Sequence, residues 1–158
     1  MKKLIATLLG ASLVLSLAAC GGGGGAEIPD TPEGQAFKFR TGVMEAVAYK
    51  VARLRAMAMG EIPVDQVLFV KDANDVAALA GMIPEGFIPN SAIEGSAALP
   101  EIWTNNADFH AKAMELQNNA QALATAAQQN GFEASKGMVQ AVGGGCGGCH
   151  RTYRRRQE

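Results

Sequence analysis

The feature that most constrains this chain lies close to its C-terminus, where Cys146-Gly147-Gly148-Cys149-His150 follows the triplet Gly143-Gly144-Gly145. Such a glycine density is a poor composition for a helix, because each glycine costs about 1 kcal/mol relative to alanine. Yet Phe132, Val139, Val142, Cys146, Cys149 and Tyr153 keep helical spacing and place both cysteines on one buried face. Something must offset the glycine cost, or must require the small side chains. Close approach of a large flat group does both.

Residues at i and i+3 of a helix face the same way, so both thiols can add to the two vinyl groups on one edge of a porphyrin. His150, next to Cys149 and one turn after Cys146, then reaches under the iron. Cys-x-x-Cys-His is the attachment pattern of c-type haem. Structural zinc wants four ligands, and beyond this cluster the chain offers only His110 and Cys20. A thioredoxin-like dithiol wants a βαβ context, and no strand signal is found. A disulfide, open to the two cysteines in an oxidising compartment, leaves the histidine without a role. The pattern predicts one covalent haem c, held by Cys146 and Cys149 and ligated by His150.

The other end of the chain is an address. Lys2 and Lys3 precede the apolar run Leu4 to Ala19, which is short against the ~20 residues that span a membrane. The run ends in Leu17-Ala18-Ala19-Cys20 and resembles the lipobox of bacterial lipoproteins, where the cysteine is lipidated. An ordinary signal peptide with an incidental Cys20 is the other reading, and both export the protein to the periplasm. Lipidation anchors it to a membrane there. Gly21 to Gly25 and the polar stretch after them read as a flexible tether, reaching roughly 20 Å. The expected organisation is a signal peptide over 1–19, a lipidated cysteine and glycine-rich linker over 20–33, and one domain over 34–158.

Within that domain the apolar share is rich in alanine, and aromatic residues are only 6% of the chain, which favours an all-helical fold. Helix one is expected from about Pro32 to Met59, with Phe37, Met44, Val47, Ala48, Val51 and Leu54 as its stripe and Arg40 and Thr41 on the same face. Helix two is expected from about Val64 to Met82, with Val64, Leu68, Val76, Leu79 and Ile83 inside. A glycine- and proline-rich connection runs from Pro84 to Pro100. Helix three carries the seam Phe109, Ala113, Leu116, Ala120, Leu123 and Ala127, and Asn130-Gly131 stops it. The net charge of −1 argues against nucleic-acid binding. The C-terminal cluster Arg151, Arg154, Arg155 and Arg156 reads as cations complementing a helix dipole.

A haem motif on the last of four helices resembles the class II cytochromes c, the cytochrome c′ family. The resemblance covers roughly residues 35 to 158. It rests on Cys146 to Arg154, on Pro100-Glu101-Ile102-Trp103 opening helix three, and on Phe39-Arg40 followed by Met44. It implies an all-α, antiparallel up-and-down four-helix bundle with the haem near one end. It places Met44 over the distal side of the iron and Arg40 near the propionates, with Thr41 on the same face and Arg154 shielding His150. Trp103 is expected as a packing anchor, and His110 is not expected to bind the iron. Many relatives carry an aromatic residue after the proline aligned with Pro84, where this chain has Glu85.

What the resemblance implies is a carrier or binder, not an enzyme. Peroxidase or reductase chemistry needs a distal acid–base group, and none stands beside Met44. One reading is electron transfer and binding of nitric oxide or carbon monoxide at a five-coordinate, His-ligated iron. The alternative is a low-spin His/Met electron carrier with Met44 as sixth ligand. Partners would be periplasmic redox proteins, the two gases, a membrane through Cys20, and a second copy of the chain.

Overall fold

The computed structural model describes residues 27–156; the signal-peptide reading and Cys20 lie outside them. The described residues form α1 (Pro32–Ala58), α2 (Gln66–Met82), a short α3 (Glu101–Thr104), α4 (Asn106–Ser135) and α5 (Val139–Tyr153). Helices α1, α2, α4 and α5 make an antiparallel four-helix bundle. No sheet accompanies it among the described residues, only an isolated bridge between Ala98 and Arg154.

Local chemistry sets the helix ends. Thr31 caps α1, its hydroxyl accepting from the Gly34 amide at 3.2 Å, with Pro32 in the first turn. Gly34 has to be glycine, because a Cβ there would lie 1.9 Å from the Pro29 carbonyl oxygen. At the other end Gly60 adopts φ 73° and the chain turns. Asp65 caps α2 by accepting from the Leu68 amide at 2.9 Å, so the helix begins two residues later than expected and Val64 is exposed. Gly131 interrupts α4 with φ 76° and ψ −175°, and the helix resumes as far as Ser135. Pro100-Glu101-Ile102-Trp103 forms a separate turn, divided from α4 at Asn105.

Cross-helix bonds fix the antiparallel register. Lys50 and Arg53 of α1 meet Asp72 of α2. Gln66 Oε1 accepts from the Phe132 amide at 2.9 Å, and Gln128 donates to Asn74 at 2.6 Å, joining α2 to α4. Tyr153 of α5 reaches Asp108 of α4. Leu54, Phe69, Ala73, Val76, Ala120, Leu123 and Val142 are fully enclosed. Buried alanines on α2 and α4 allow the two helices close contact, and Phe69 fills the remaining space edge-on against Phe132 at 4.9 Å.

All six seam positions of helix three are buried. Of the expected α1 stripe, Val47, Val51 and Leu54 are buried and Phe37 and Met44 partly so, while Ala48 is exposed and Val43 and Met57 are inside as well. Alanine tolerates either face, whereas Val43 and Met57 gain from burial. On α2 the enclosed residues are Phe69, Asp72, Ala73, Val76, Ala77 and Ala80. Val76 and Ile83 are buried as expected, Leu68 and Leu79 only partly, and Asp72 is enclosed on the same face because two cations of α1 offset its desolvation.

Candidate functional site

The site is built at the bundle end where α1 and α4 begin and α5 finishes. Two apolar clusters meet there. The main core takes Met44, Phe87 and Cys146 as partly buried neighbours. A smaller cluster of Ile102, Phe109 and Tyr153 takes Phe87, Ala98, Trp103 and Cys149. The two cysteines, one turn apart on α5, thus each face a different apolar wall, and Phe87 belongs to both.

Both thiols are free and half-buried. Burial pushes each above the ordinary thiol range; at Cys149 the Lys112 charge opposes this. They are neutral, protonated thiols, unlike the exposed thiolates of redox-reactive sites. The His150 imidazole is half-buried, and burial, then the Arg154 charge, pushes its pKa down. It is held neutral with a lone pair to offer. Among the described residues no cluster of three or more His, Cys, Asp or Glu is arranged to hold a metal ion. A Cβ on Gly143, Gly144 or Gly148 would meet nothing within 4 Å, whereas on Gly145 it would press on Leu116 at 3.3 Å. Gly145 therefore serves the contact of α5 with α4, and the other three leave one side of α5 open. The donor set fits a haem bound by two thioethers and one imidazole.

Arg40 is the charged residue the fold encloses here, 5% exposed. Its Nη1 donates to the Gly86 carbonyl at 2.9 Å and to Ser91 Oγ at 3.0 Å. Its Nη2 donates to the Ser91 carbonyl at 2.5 Å and to Ser96 Oγ at 3.0 Å. The guanidinium lies 5.1 Å from the ring centres of both Phe37 and Phe87. These bonds pin the Pro84–Pro100 connection onto α1. Gly86 permits the approach, since a Cβ there would lie 2.5 Å from that of Arg40. Trp103 ties the same connection from the other side, its indole donating to the Phe87 and Ile88 carbonyls at 3.1 and 2.9 Å.

The remaining expected residues divide. Met44 is partly buried against the main core. Thr41 is exposed, and its hydroxyl donates to the Phe37 carbonyl at 2.9 Å. Arg154 is exposed just past the end of α5, near enough for its charge to act on His150. Glu85 is exposed, and the aromatic ring of that turn comes from Phe87, packed edge-on to Phe109 at 4.9 Å. His110 is exposed on α4 beside Phe109.

Sequence reasoning missed three things. Asp108 accepts from the Tyr153 hydroxyl at 2.5 Å; burial, then this bond and the carboxylate's charge, push the phenol up to about 12. Ser91 and Ser96 are the acceptors that make Arg40 burial possible. Asp72 is fully buried between Lys50 and Arg53. The spacing of Asp72 and Asp75 on α2 against Lys50 and Arg53 on α1 was the one available signal.

Comparison with known proteins gives the same assignment. The family described as Cytochrome C' matches residues 35–154. Cytochrome c-554 of Cereibacter sphaeroides is 36% identical over 121 residues, covering 74% of this chain and 90% of that protein. The structure of cytochrome c prime from Shewanella frigidimarina superposes with a TM-score of 0.75 at 35% identity, covering 78% of this chain and 97% of that one. A nitric oxide complex of a variant of cytochrome c prime from Alcaligenes xylosoxidans gives a TM-score of 0.72 at 26% identity, covering 79% and 97%. With a four-helix bundle, a paired-thiol and imidazole donor set on its last helix, and these relatives, the chain belongs to the cytochrome c′ family of haem c proteins.

Proposed function

We propose that Cys146 and Cys149 carry the haem by thioether bonds and that His150 is its protein ligand, in a periplasmic cytochrome that transfers electrons and binds nitric oxide or carbon monoxide. The observation that carries this is the placement of two thiols one turn apart on α5, each against its own apolar wall, with an imidazole following. The haem supplies a one-electron couple and an iron to which a gas can bind. The protein supplies attachment, one ligand, and walls that exclude water. As family membership implies, it is a carrier and not a catalyst.

In this reading the iron is five-coordinate, with Met44 packed over it and unbound. Arg40, Thr41 and Arg154 line the surroundings, Arg40 chiefly by holding the Pro84–Pro100 connection in place. Residues 1–19 are a signal peptide, Cys20 carries lipid, and 20–33 tether the domain of 34–158 to a membrane. Redox proteins, the two gases and a second copy of the chain are its partners.

The attachment is tested by acid–acetone extraction. Haem should remain with the wild-type protein and become extractable from the Cys146→Ala/Cys149→Ala variant. Haem retained by that variant under denaturing electrophoresis would overturn the assignment. Optical spectra test the distal side: a broad high-spin ferrous Soret band is expected, with little change in ferric spin state on Met44→Ala. A sharp low-spin spectrum lost on Met44→Ala would make Met44 the sixth ligand and leave electron transfer as the function.

A further inference from the structure

The arginines around the attachment motif make no ion pair within the bundle. Arg151, Arg154, Arg155 and Arg156 are all exposed, and none forms an ion pair among the described residues. The backbone that carries Arg154 and Arg155 is nevertheless held. The helix ends at Tyr153, and Arg154 turns to an extended conformation with φ −119° and ψ 130°. The Tyr153 carbonyl accepts from the Leu99 amide at 3.0 Å, and the Arg155 amide donates to the Ala97 carbonyl at 2.8 Å. Arg151 stays on α5, its Nη1 3.1 Å from where a Cβ of Gly147 would stand. Cations that only complemented a helix dipole would need no such fastening beyond the helix end. Glu94 and Glu101 stand on the adjoining segments and pair with none of the four.

We propose that Arg151, Arg154, Arg155 and Arg156, which follow His150 directly in the chain, form the docking face for an acidic surface on a protein redox partner, so that the partner meets the haem end of the bundle. This rests on the electron-transfer reading and adds the partner's chemistry and its contact face. The chain as a whole carries a formal charge of −1, so net charge would steer acidic partners away. Four cations within the six residues after His150 act locally, over about 10 Å, the screening length at 0.1 M salt, and local charge of this kind sets both orientation and encounter rate.

The opposite signs of net and local charge give the test. In the haem-loaded full-length protein, ferricyanide takes one electron from the ferrous haem, giving ferric haem and ferrocyanide. Raising the salt from about 10 to about 200 mM should slow this reaction about fivefold, whereas net charge predicts acceleration. The Arg155→Glu/Arg156→Glu variant should reverse the slope. Arg55→Glu/Lys136→Glu, an equal charge change at the far end of the bundle, should keep it. A fluorescent poly-glutamate peptide gives a readout without electron transfer: it should bind the wild type and the far-end variant, in a salt-sensitive manner, and not the Arg155/Arg156 variant. Oxidation that accelerates with salt in the wild type overturns the docking face and leaves the electron-transfer reading intact. A haem that neither ferricyanide nor a cationic cobalt oxidant can oxidise overturns that reading, and the proposal with it. Binding of short-chain phosphatidylglycerol without binding of poly-glutamate assigns the arginines to a lipid surface and also overturns it.

Discussion

Tyr153, the last residue of α5, donates its hydroxyl to Asp108 in the first turn of α4 at 2.5 Å. The tyrosine ring also packs edge-on to Phe109 at 5.5 Å. Three residues before it comes His150, so the bond fastens the turn that presents the imidazole. Tyr153→Phe keeps the ring and removes the bond, and should lower Tm by about 4 °C. Asp108→Asn keeps a neutral acceptor and should cost less. Thermal melts by circular dichroism decide the order; equal losses would place the stabilisation in the carboxylate's charge.

Arg40 holds the connection between α2 and α3 through four hydrogen bonds made inside the protein. Arg40→Leu takes the donor from the Gly86 and Ser91 carbonyls, while Ser91 and Ser96 keep their bonds to the Ile88 carbonyl and the Ala98 amide, and should destabilise by about 2 kcal/mol in urea titrations. Lysine cannot supply the planar fork, so Arg40→Lys should recover little of that. Amide exchange should rise over residues 86–99 before it rises elsewhere.

Acid should weaken the α1–α2 contact first. Burial raises the Asp72 pKa, but its bonds to Arg53 and Lys50 outweigh this and hold it below the ordinary 3.8; bonds to Lys50 and Lys71 do the same for Asp75. The facing groups are Lys50, Arg53, Lys71 and Tyr49, whose hydroxyl lies 3.1 Å from Arg53. A depressed carboxylate contributes stability above its unfolded pKa and loses it as pH falls through its folded one. Unfolding free energy should therefore drop below about pH 4. Asp72→Asn should flatten that fall and cost about 3 kcal/mol at neutral pH, since it leaves two cations facing a buried neutral group.

The glycines separate by surroundings. Gly144→Ala, on an open face of α5, should stabilise the protein by about 0.5–1 kcal/mol through helix propensity. Gly86→Ala should destabilise, because its Cβ would fall 2.5 Å from the Arg40 Cβ and 3.0 Å from its Cα. Opposite shifts in denaturation midpoint are expected; a fall for Gly144→Ala would mean that face is occupied.

The sequence alone determined what depends on short-range spacing. The α4 seam, the cap at Thr31, the turn at Gly60, the break at Gly131 and the cysteines on the inward side of α5 all follow from residues within one or two turns of one another. The attachment motif is equally local, which is why its chemistry was legible. Only the tertiary structure decided the edges of the α1 and α2 faces, because alanines such as Ala48 accept either side and Asp72 is enclosed through partners 19 and 22 residues away. It likewise decided that Arg40 is spent on Gly86, Ser91 and Ser96, 46 to 56 residues distant. A periodic pattern records that a face is apolar; it does not record which distant backbone oxygens will be there to receive a buried charge.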